Sequence, residues 1–261
     1  MNISLRGLRV VVTGATGIVG RRIVRAFAME GSRLFLTGHE STTDVAEMAQ
    51  TMGAMETEYF SLDLLDVKQV LTLAAKIKQH WGGVDVLVNN AGVYPMQPLL
   101  AMSVESWDHV LGINLRTPFV LTKEIARLMI EEHVRGSIVN ISSGAAFRAK
   151  VGHGHYSTSK AGLEMLTKSF ALELAPFGIR VNAVIPGFAP GSAESPLPPE
   201  YTAKMVETIP LGRASGEMDA PAATLFLASS LASFITGSTI VVDGGRSAGI
   251  LSPSERESLL R

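Results

Sequence analysis

Tyr156 and Lys160 stand four residues apart, a short way after the pair Ser142-Ser143. In a helix this spacing puts a phenol and an ammonium on one face, one turn from each other. A free phenol titrates near ~10, too high to exchange protons readily at neutral pH. A nearby ammonium favours the phenolate and moves the group toward the range where general acid–base catalysis works. A serine hydroxyl beside them would hold a substrate oxygen in line with the phenol. With four tyrosines in 261 residues, one such pair is an easy coincidence. Its meaning rests on its surroundings.

Two elements must position these groups. The run 136–143 is rich in β-branched residues and ends in hydroxyls, which predicts a buried parallel strand. Ala161, Leu163, Leu166, Phe170 and Leu174 continue from Tyr156 at helical spacing. Strand and helix would therefore meet at the carboxyl edge of a sheet, where open α/β sheets bind ligands. A second such junction lies at the start of the chain. A strand over 8–14 runs into Gly14-Ala-Thr16-Gly17-Ile18-Val-Gly20, and a helix over about 18–30 follows. Glycines let the backbone approach a pyrophosphate, and the helix N-terminus offers free N–H groups to it.

Further strands are expected near 33–37, 57–62, 85–89, 180–185 and 238–243, with helices near 43–52, 67–80, 104–132 and 220–229. Seven strands alternating with helices predict one domain with a doubly wound, mostly parallel seven-stranded sheet of Rossmann type, helices on both faces. The domain is expected to span 1–246. The Pro- and Gly-rich stretch within 187–210 reads as a substrate lid. In the extension 247–261, Ser252-Pro-Ser-Glu255 reads as a capping box opening a short helix.

Composition narrows the function. A net charge of −1 gives no reason to expect nucleic acid or an anionic membrane as partner. The absence of cysteine excludes disulfides, thiolate metal sites and cysteine catalysis. His153 and His155 have no acidic partner at ligand spacing, so no metal is expected. No apolar run reaches a membrane span, and residues 1–9 lack a signal-peptide core, so a cytoplasmic protein is expected.

The order Thr13-Gly14…Gly20, Asp63, Asn89-Asn90-Ala91-Gly92, Asn114, Ser143, Tyr156-x-x-x-Lys160, Pro186-Gly187 and Val242-Asp-Gly-Gly245 resembles the short-chain dehydrogenase/reductases of the single-domain branch. In look it is nearest to 3-oxoacyl-carrier-protein reductases, and the resemblance covers about residues 5–246. It implies hydride transfer between NADP(H) or NAD(H) and a carbonyl or secondary alcohol. It implies Tyr156 as acid–base, Lys160 lowering the phenol pKa and binding the nicotinamide ribose, Ser143 orienting the carbonyl, and Asn114 holding a relay water. Ser142 would support the backbone. The cofactor would lie along Gly14, Thr16, Gly17, Ile18, Gly20, His39, Asp63, Leu64, Asn90, Ala91, Gly92, Tyr156, Lys160, Pro186 and Gly187. The resemblance further implies a homotetramer, or a homodimer, with a small-molecule substrate.

Two departures qualify this. Gly-x-x-Gly-x-x-Gly replaces the branch's usual Gly-x-x-x-Gly-x-Gly, as in the longer, epimerase-like branch, so transient oxidation by an epimerase or dehydratase is one alternative. A dinucleotide sensor without turnover is another, though it has no need of Ser143, Tyr156 and Lys160 together. Position 191 is Gly where the family often has Thr, and Ser192 is the nearest hydroxyl. Strand two ends in Gly38-His39, neither of them an acid that would repel a 2′-phosphate, which favours NADP over NAD, with Arg21, Ser41 and Thr42 as helpers. Tyr94, Met96, Phe147 and Phe188 are placed to line an apolar pocket.

Overall fold

In the computed structural model, residues 3–39, 44–191, 197–252, 255, 258 and 259 are described. Strand β1 (Arg9–Val12) is followed by α1 (Ile18–Met29), β2 (Arg33–Gly38), α2 (Asp44–Thr51), β3 (Glu56–Ser61), α3 (Val67–Trp81) and β4 (Val86–Asn89). Then come α4 (Val104–Leu111), α5 (Thr117–Glu131), β5 (Ser137–Ile141), α6 (Gly154–Leu174), β6 (Arg180–Pro186), α7 (Pro199–Glu207), α8 (Asp219–Ala228) and β7 (Thr239–Val242). The sheet order is β3-β2-β1-β4-β5-β6-β7, and every pairing is parallel. All strand carboxyl ends therefore share one edge, and the order reverses direction between β1 and β4, the switch point where such sheets bind ligands.

The central strands read as unbroken apolar runs because both faces are covered. Val10 and Val12 enter one core with Ile23, Phe27 and Leu227, while Val11 between them enters the other with Leu73, Ile125 and Met129. Leu34, Phe35 and Leu36 divide in the same way. At the amino edge, Arg9 donates twice to the Asp85 carboxylate at 2.9 Å, joining the starts of β1 and β4. Within the sheet and its flanking helices runs a buried polar chain. Asn89 Nδ2 donates to Thr122 Oγ1 (3.0 Å) and Asn140 Oδ1 (2.8 Å), and Asn140 Nδ2 donates to Thr167 Oγ1 (2.8 Å). The chain ties α5, β4, β5 and α6 together.

The structure departs from the expected elements twice. The helix expected over 104–132 is interrupted by a π-helical turn at Gly112–Arg116. Pro118 explains the break, because it has no N–H for the carbonyl of Asn114 and its ring would collide with it. The Thr117 N–H reaches back five residues to the Gly112 carbonyl instead, and Thr117 Oγ1 donates to that oxygen at 3.0 Å. The second departure is α7, a helix not expected within the 187–210 stretch read as a substrate lid. Pro199 at its first turn is the start signal the reading passed over. At the far end, Ser252 Oγ and Glu255 cap one another, with Glu255 N donating to Ser252 Oγ (3.3 Å) and Ser252 N to Glu255 Oε2 (2.8 Å).

Candidate active site

Ser143 follows β5 directly and caps a short 3-10 turn, its Oγ accepting from Ala145 N at 3.2 Å. Tyr156 and Lys160 lie in the first two turns of α6, which packs on β6 and on that 3-10 turn. The ammonium of Lys160 is buried, 5.9 Å from the centre of the Tyr156 ring, and donates to the Ile141 carbonyl at 2.8 Å. Burial pulls Lys160 from its ordinary 10.5 down to about 8, against the opposing pull of the Glu164 carboxylate. For Tyr156 the structure corrects one expectation. The phenol lies above its ordinary value because burial outweighs the hydrogen bond with Ser143, and Tyr94 adds to the rise. Lys160 spends one of its three N–H donors on the β5 carbonyl.

Asn114 sits in the π-helical turn and is fully buried. Its Oδ1 accepts from Val93 N and its Nδ2 donates to Val93 O, both at 2.8 Å, so the amide mimics a strand partner for the loop after β4. The same Nδ2 donates to Ser159 Oγ at 3.1 Å, and Ser159 Oγ donates to the Tyr156 carbonyl at 2.8 Å. Asn114 is thus joined to the first turn of α6 through Ser159, a residue the sequence reading did not single out. A Cβ placed on Gly92 would lie 3.3 Å from Asn114 Oδ1 and 3.6 Å from Lys160 Nζ, so the three meet at one point.

The glycine turn divides its labour. Gly14 adopts φ 63°, and a Cβ there would lie 2.7 Å from the Ala91 Cα. A Cβ on Gly20 would lie 2.1 Å from the Gly14 carbonyl. Both are required by packing. Gly17 is not: its Cβ would meet only the Gly14 carbonyl, at an ordinary 3.5 Å. Gly17 is also the N-cap of α1, and no side chain caps that helix. An open cradle before an uncapped helix N-terminus fits a dinucleotide pyrophosphate. Thr13 Oγ1 accepts from Asn90 N (3.0 Å) and Ala91 N (3.1 Å), while Asn90 Nδ2 donates to the Thr13 and Gly14 carbonyls (2.9 Å each). The two loops flanking the switch point are one hydrogen-bonded unit.

The remaining expected cofactor residues line the same edge. Thr16 crowds Gly38, where a Cβ would lie 3.1 Å from Thr16 Oγ1. His39 is exposed just past β2, its carbonyl accepting from Ser61 Oγ at 3.0 Å. Asp63 Oδ1 accepts from Leu65 N (2.9 Å), and the Leu64 carbonyl accepts from Thr117 Oγ1 (2.6 Å), joining that loop to α5. Arg21 donates to the Thr16 carbonyl at 3.1 Å and pairs with Asp44. Ser41, Thr42 and Ser192 lie outside the described residues.

Around Tyr156 the surface is apolar and open. Tyr94 meets the Tyr156 ring edge-on at 6.0 Å and His153 does so at 6.2 Å, while Met96 and Phe147 are each about two-thirds exposed (67% and 68%). His155 is buried in the first turn of α6, its Nδ1 accepting from Tyr156 N at 2.9 Å. Burial, with His153 adding, holds it below the ordinary histidine range. Pro186 ends β6. Gly187 and Phe188 line a cavity of about 510 Å³ with Ile209, Leu211 and Val242, and no residue of the Ser143–Tyr156–Lys160 group borders it. Among the described residues no His, Asp and Glu cluster could hold a metal, and no helix is long and apolar enough to cross a membrane.

The sheet order, the glycine turn and the Ser–Tyr–Lys edge agree with known proteins. A family profile described as enoyl-(acyl carrier protein) reductase matches residues 14–247. The 3-oxoacyl-acyl-carrier-protein reductase of Aquifex aeolicus is 40% identical over 247 residues, which are 94% of this chain and 99% of that protein. The L-xylulose reductase of Bos taurus is 36% identical over 247 residues, 94% of this chain and 98% of that protein. A solved structure described as an NAD(P)-dependent gluconate 5-dehydrogenase from Beutenbergia cavernae, with NADP bound, superposes with a TM-score of 0.87 at 33% identity, covering 95% of this chain and 99% of that one. The chain belongs to the short-chain dehydrogenase/reductase family and is an NAD(P)-dependent oxidoreductase that interconverts a carbonyl and an alcohol.

Proposed function

We propose that Tyr156, Ser143 and Lys160 carry the proton chemistry of this oxidoreductase, with NADP(H) preferred over NAD(H). When bound, the nicotinamide supplies or accepts the hydride. In reduction Tyr156 Oη gives its proton to the substrate carbonyl oxygen as the carbonyl carbon gains the hydride, and in oxidation it takes the proton back. A phenol that stays protonated at neutral pH suits the reductive direction, because the acid must hold its proton until the oxygen becomes basic. Ser143 Oγ holds the substrate oxygen beside the phenol. Lys160, with two N–H donors left beside the one on the Ile141 carbonyl, would hold a ribose hydroxyl and lend its charge to the phenol. Asn114, buried against Gly92 and Lys160, holds the water through which the proton is replaced.

Gly14, Thr16, Gly17, Ile18 and Gly20 would hold the pyrophosphate. Asp63 and Leu64 would flank the adenine, Asn90–Gly92 the adenosine ribose, and Pro186–Gly187 the nicotinamide. Gly38-His39 at the end of β2, where an acid would repel a 2′-phosphate, supports NADP, with His39 exposed just past the strand and Arg21 as a helper. The substrate is a carbonyl or secondary alcohol that meets the apolar rim of Tyr94, Met96 and Phe147, with the segment 187–210 as its lid. Assembly as a homotetramer or homodimer, and a cytoplasmic setting, complete the proposal.

The observation that carries this reading is a buried ammonium 5.9 Å from the ring of a phenol, with Ser143 at the end of the strand beside them acting on that phenol. NADPH consumption against a panel of acyl thioesters and sugar ketones tests it. Tyr156→Phe is expected to lower kcat by about 10²–10⁴-fold while leaving NADPH binding, read by nucleotide fluorescence, within about twofold. Undiminished turnover in a folded Tyr156→Phe protein would overturn the assignment. Equal kcat/KM with NADH and NADPH would overturn the cofactor preference alone.

A further inference from the structure

We propose that Glu164 is a positioning residue for this reaction, a buried carboxylate one turn beyond Lys160 whose charge keeps the lysine in its ammonium form. The inference rests on the assignment of Tyr156 and Lys160 above. Tyr156, Lys160 and Glu164 recur at every fourth position of α6 and therefore form one stripe along the helix. Lys160 and Glu164 are 4% and 6% exposed, so two opposite charges are withdrawn from water together.

Glu164 has a second contact, with Thr239 Oγ1 donating to its Oε2 at 2.5 Å, which anchors α6 to β7. A neutral amide would serve that contact equally well. The other oxygen, Oε1, is buried and has no hydrogen-bond partner among the described residues. A buried carboxylate with one orphaned oxygen is costly unless an opposite charge lies close by. No direct ion pair joins the two, and Lys160, one turn away on the same buried stripe, is the opposite charge that acts through space.

The surroundings leave no competitor. Lys160 meets Tyr156 on its own helix, the neutral Ile141 carbonyl from β5, and Gly92 beside the neutral Asn114 amide. Of the elements packed on α6, α4 carries Glu105, Asp108 and His109, all exposed. The π-helical turn carries Arg116, which donates to the Leu65 carbonyl. On α5, Lys123 pairs with Glu124 at 3.0 Å, and on β6 Arg180 donates to the Ser229 carbonyl. Among the described residues Glu164 is the charge that acts on Lys160. Burial drives the lysine toward its neutral form, and the carboxylate opposes it.

The test is the pH profile of kcat for carbonyl reduction in the full-length enzyme, comparing wild type with Glu164→Gln, Glu164→Met and Glu164→Asp. Removing the negative charge lowers the pKa of the ammonium, whose loss of a proton sets the alkaline limb. The alkaline limb should therefore move to lower pH by about one unit in Gln and Met, and return close to wild type in Asp. The amide keeps the Thr239 contact, so a role limited to anchoring β7 would leave the limb in place. An unmoved limb in either neutral variant that folds overturns the proposal. Should neither fold, the Glu164 carboxyl ¹³C signal of the wild-type protein decides: ionised at pH 7 supports it, protonated overturns it. Lys160→Met separates this inference from the assignment beneath it. Wild-type turnover there sinks the assignment, whereas an inactive Lys160→Met beside an unshifted Glu164→Gln sinks only the role of Glu164.

Discussion

The interior behind the cleft and the rim in front of it are built on opposite plans. Behind, Thr122, Asn89, Asn140 and Thr167 form a buried hydrogen-bonded chain, and Asn114, Ser159 and Lys160 are tied to backbone carbonyls and amides on three elements. In front, Tyr94, Met96, Leu99, Phe147 and Val151 stand exposed on loops and a 3-10 turn. A group fixed by several partners keeps its geometry when its neighbours change, so the interior suits the proton chemistry proposed for it. Side chains with few partners can be exchanged at little cost in stability, so substrate choice belongs to the rim. The relatives fit this division: one is named for an acyl-carrier-protein thioester and another for a sugar.

Three experiments would break or sharpen the contrast. The largest expected effect comes from Lys160. Its folded value near 8 lies below the ordinary 10.5, so between those pH values the unfolded chain holds a proton the folded one has released. Stability of the cofactor-free enzyme should therefore gain about 3 kcal/mol from this group as pH rises from 8 to 10.5. Below pH 8 the full cost of burying the charge remains. Urea midpoints measured across that range should lose this limb in Lys160→Met, and a limb of equal size in the variant would contradict the assignment.

Next comes the polar chain. Asn140→Ala strips the acceptor from Asn89 Nδ2 and the donor from Thr167 Oγ1. A loss of about 1–3 kcal/mol in denaturant stability is expected, since two buried groups each lose one of two partners and a cavity opens between them. A change under about 0.5 kcal/mol would mean that the interior is less committed than its hydrogen bonds indicate. The smallest effect is at the rim, where Phe147→Ala should alter stability by less than about 0.5 kcal/mol and shift kcat/KM between substrates by about tenfold, mainly through KM. A larger effect on kcat than on KM would place Phe147 with the interior.

Much of the scaffold was legible because its strands are buried on both faces. Runs such as Val86–Asn89 and Ser137–Ile141 announce themselves without any knowledge of their partners. The Tyr156–Lys160 pair was legible because one helix positions both. What could not be read depends on contacts between distant segments. Thr13 joins two loops through a single hydroxyl, and Ser159 connects Asn114 to Tyr156, yet neither position carries a local pattern. Glu164 carried one, the four-residue step beyond Lys160, but an acid among leucines reads as a solvated helix face until its burial is known. The phenol's raised value was hidden for a different reason. It reports a balance between burial and charge, and spacing reveals only which groups are near.

The interruption at Gly112–Arg116 has a genetic corollary. A π-helical turn is a helix carrying one surplus residue, and each residue rotates the helix by about 100°. Asn114 reaches Val93 and Ser159 from within that surplus turn, held open by Pro118 two positions past the loop's last residue. Deleting a single codon there, together with exchanging the proline, would let α4 and α5 fuse into one regular rod. Such a molecule would gain an unbroken helix and lose the amide from its bonds to Val93 and Ser159, so here a regular helix and the geometry around the lysine pull in opposite directions.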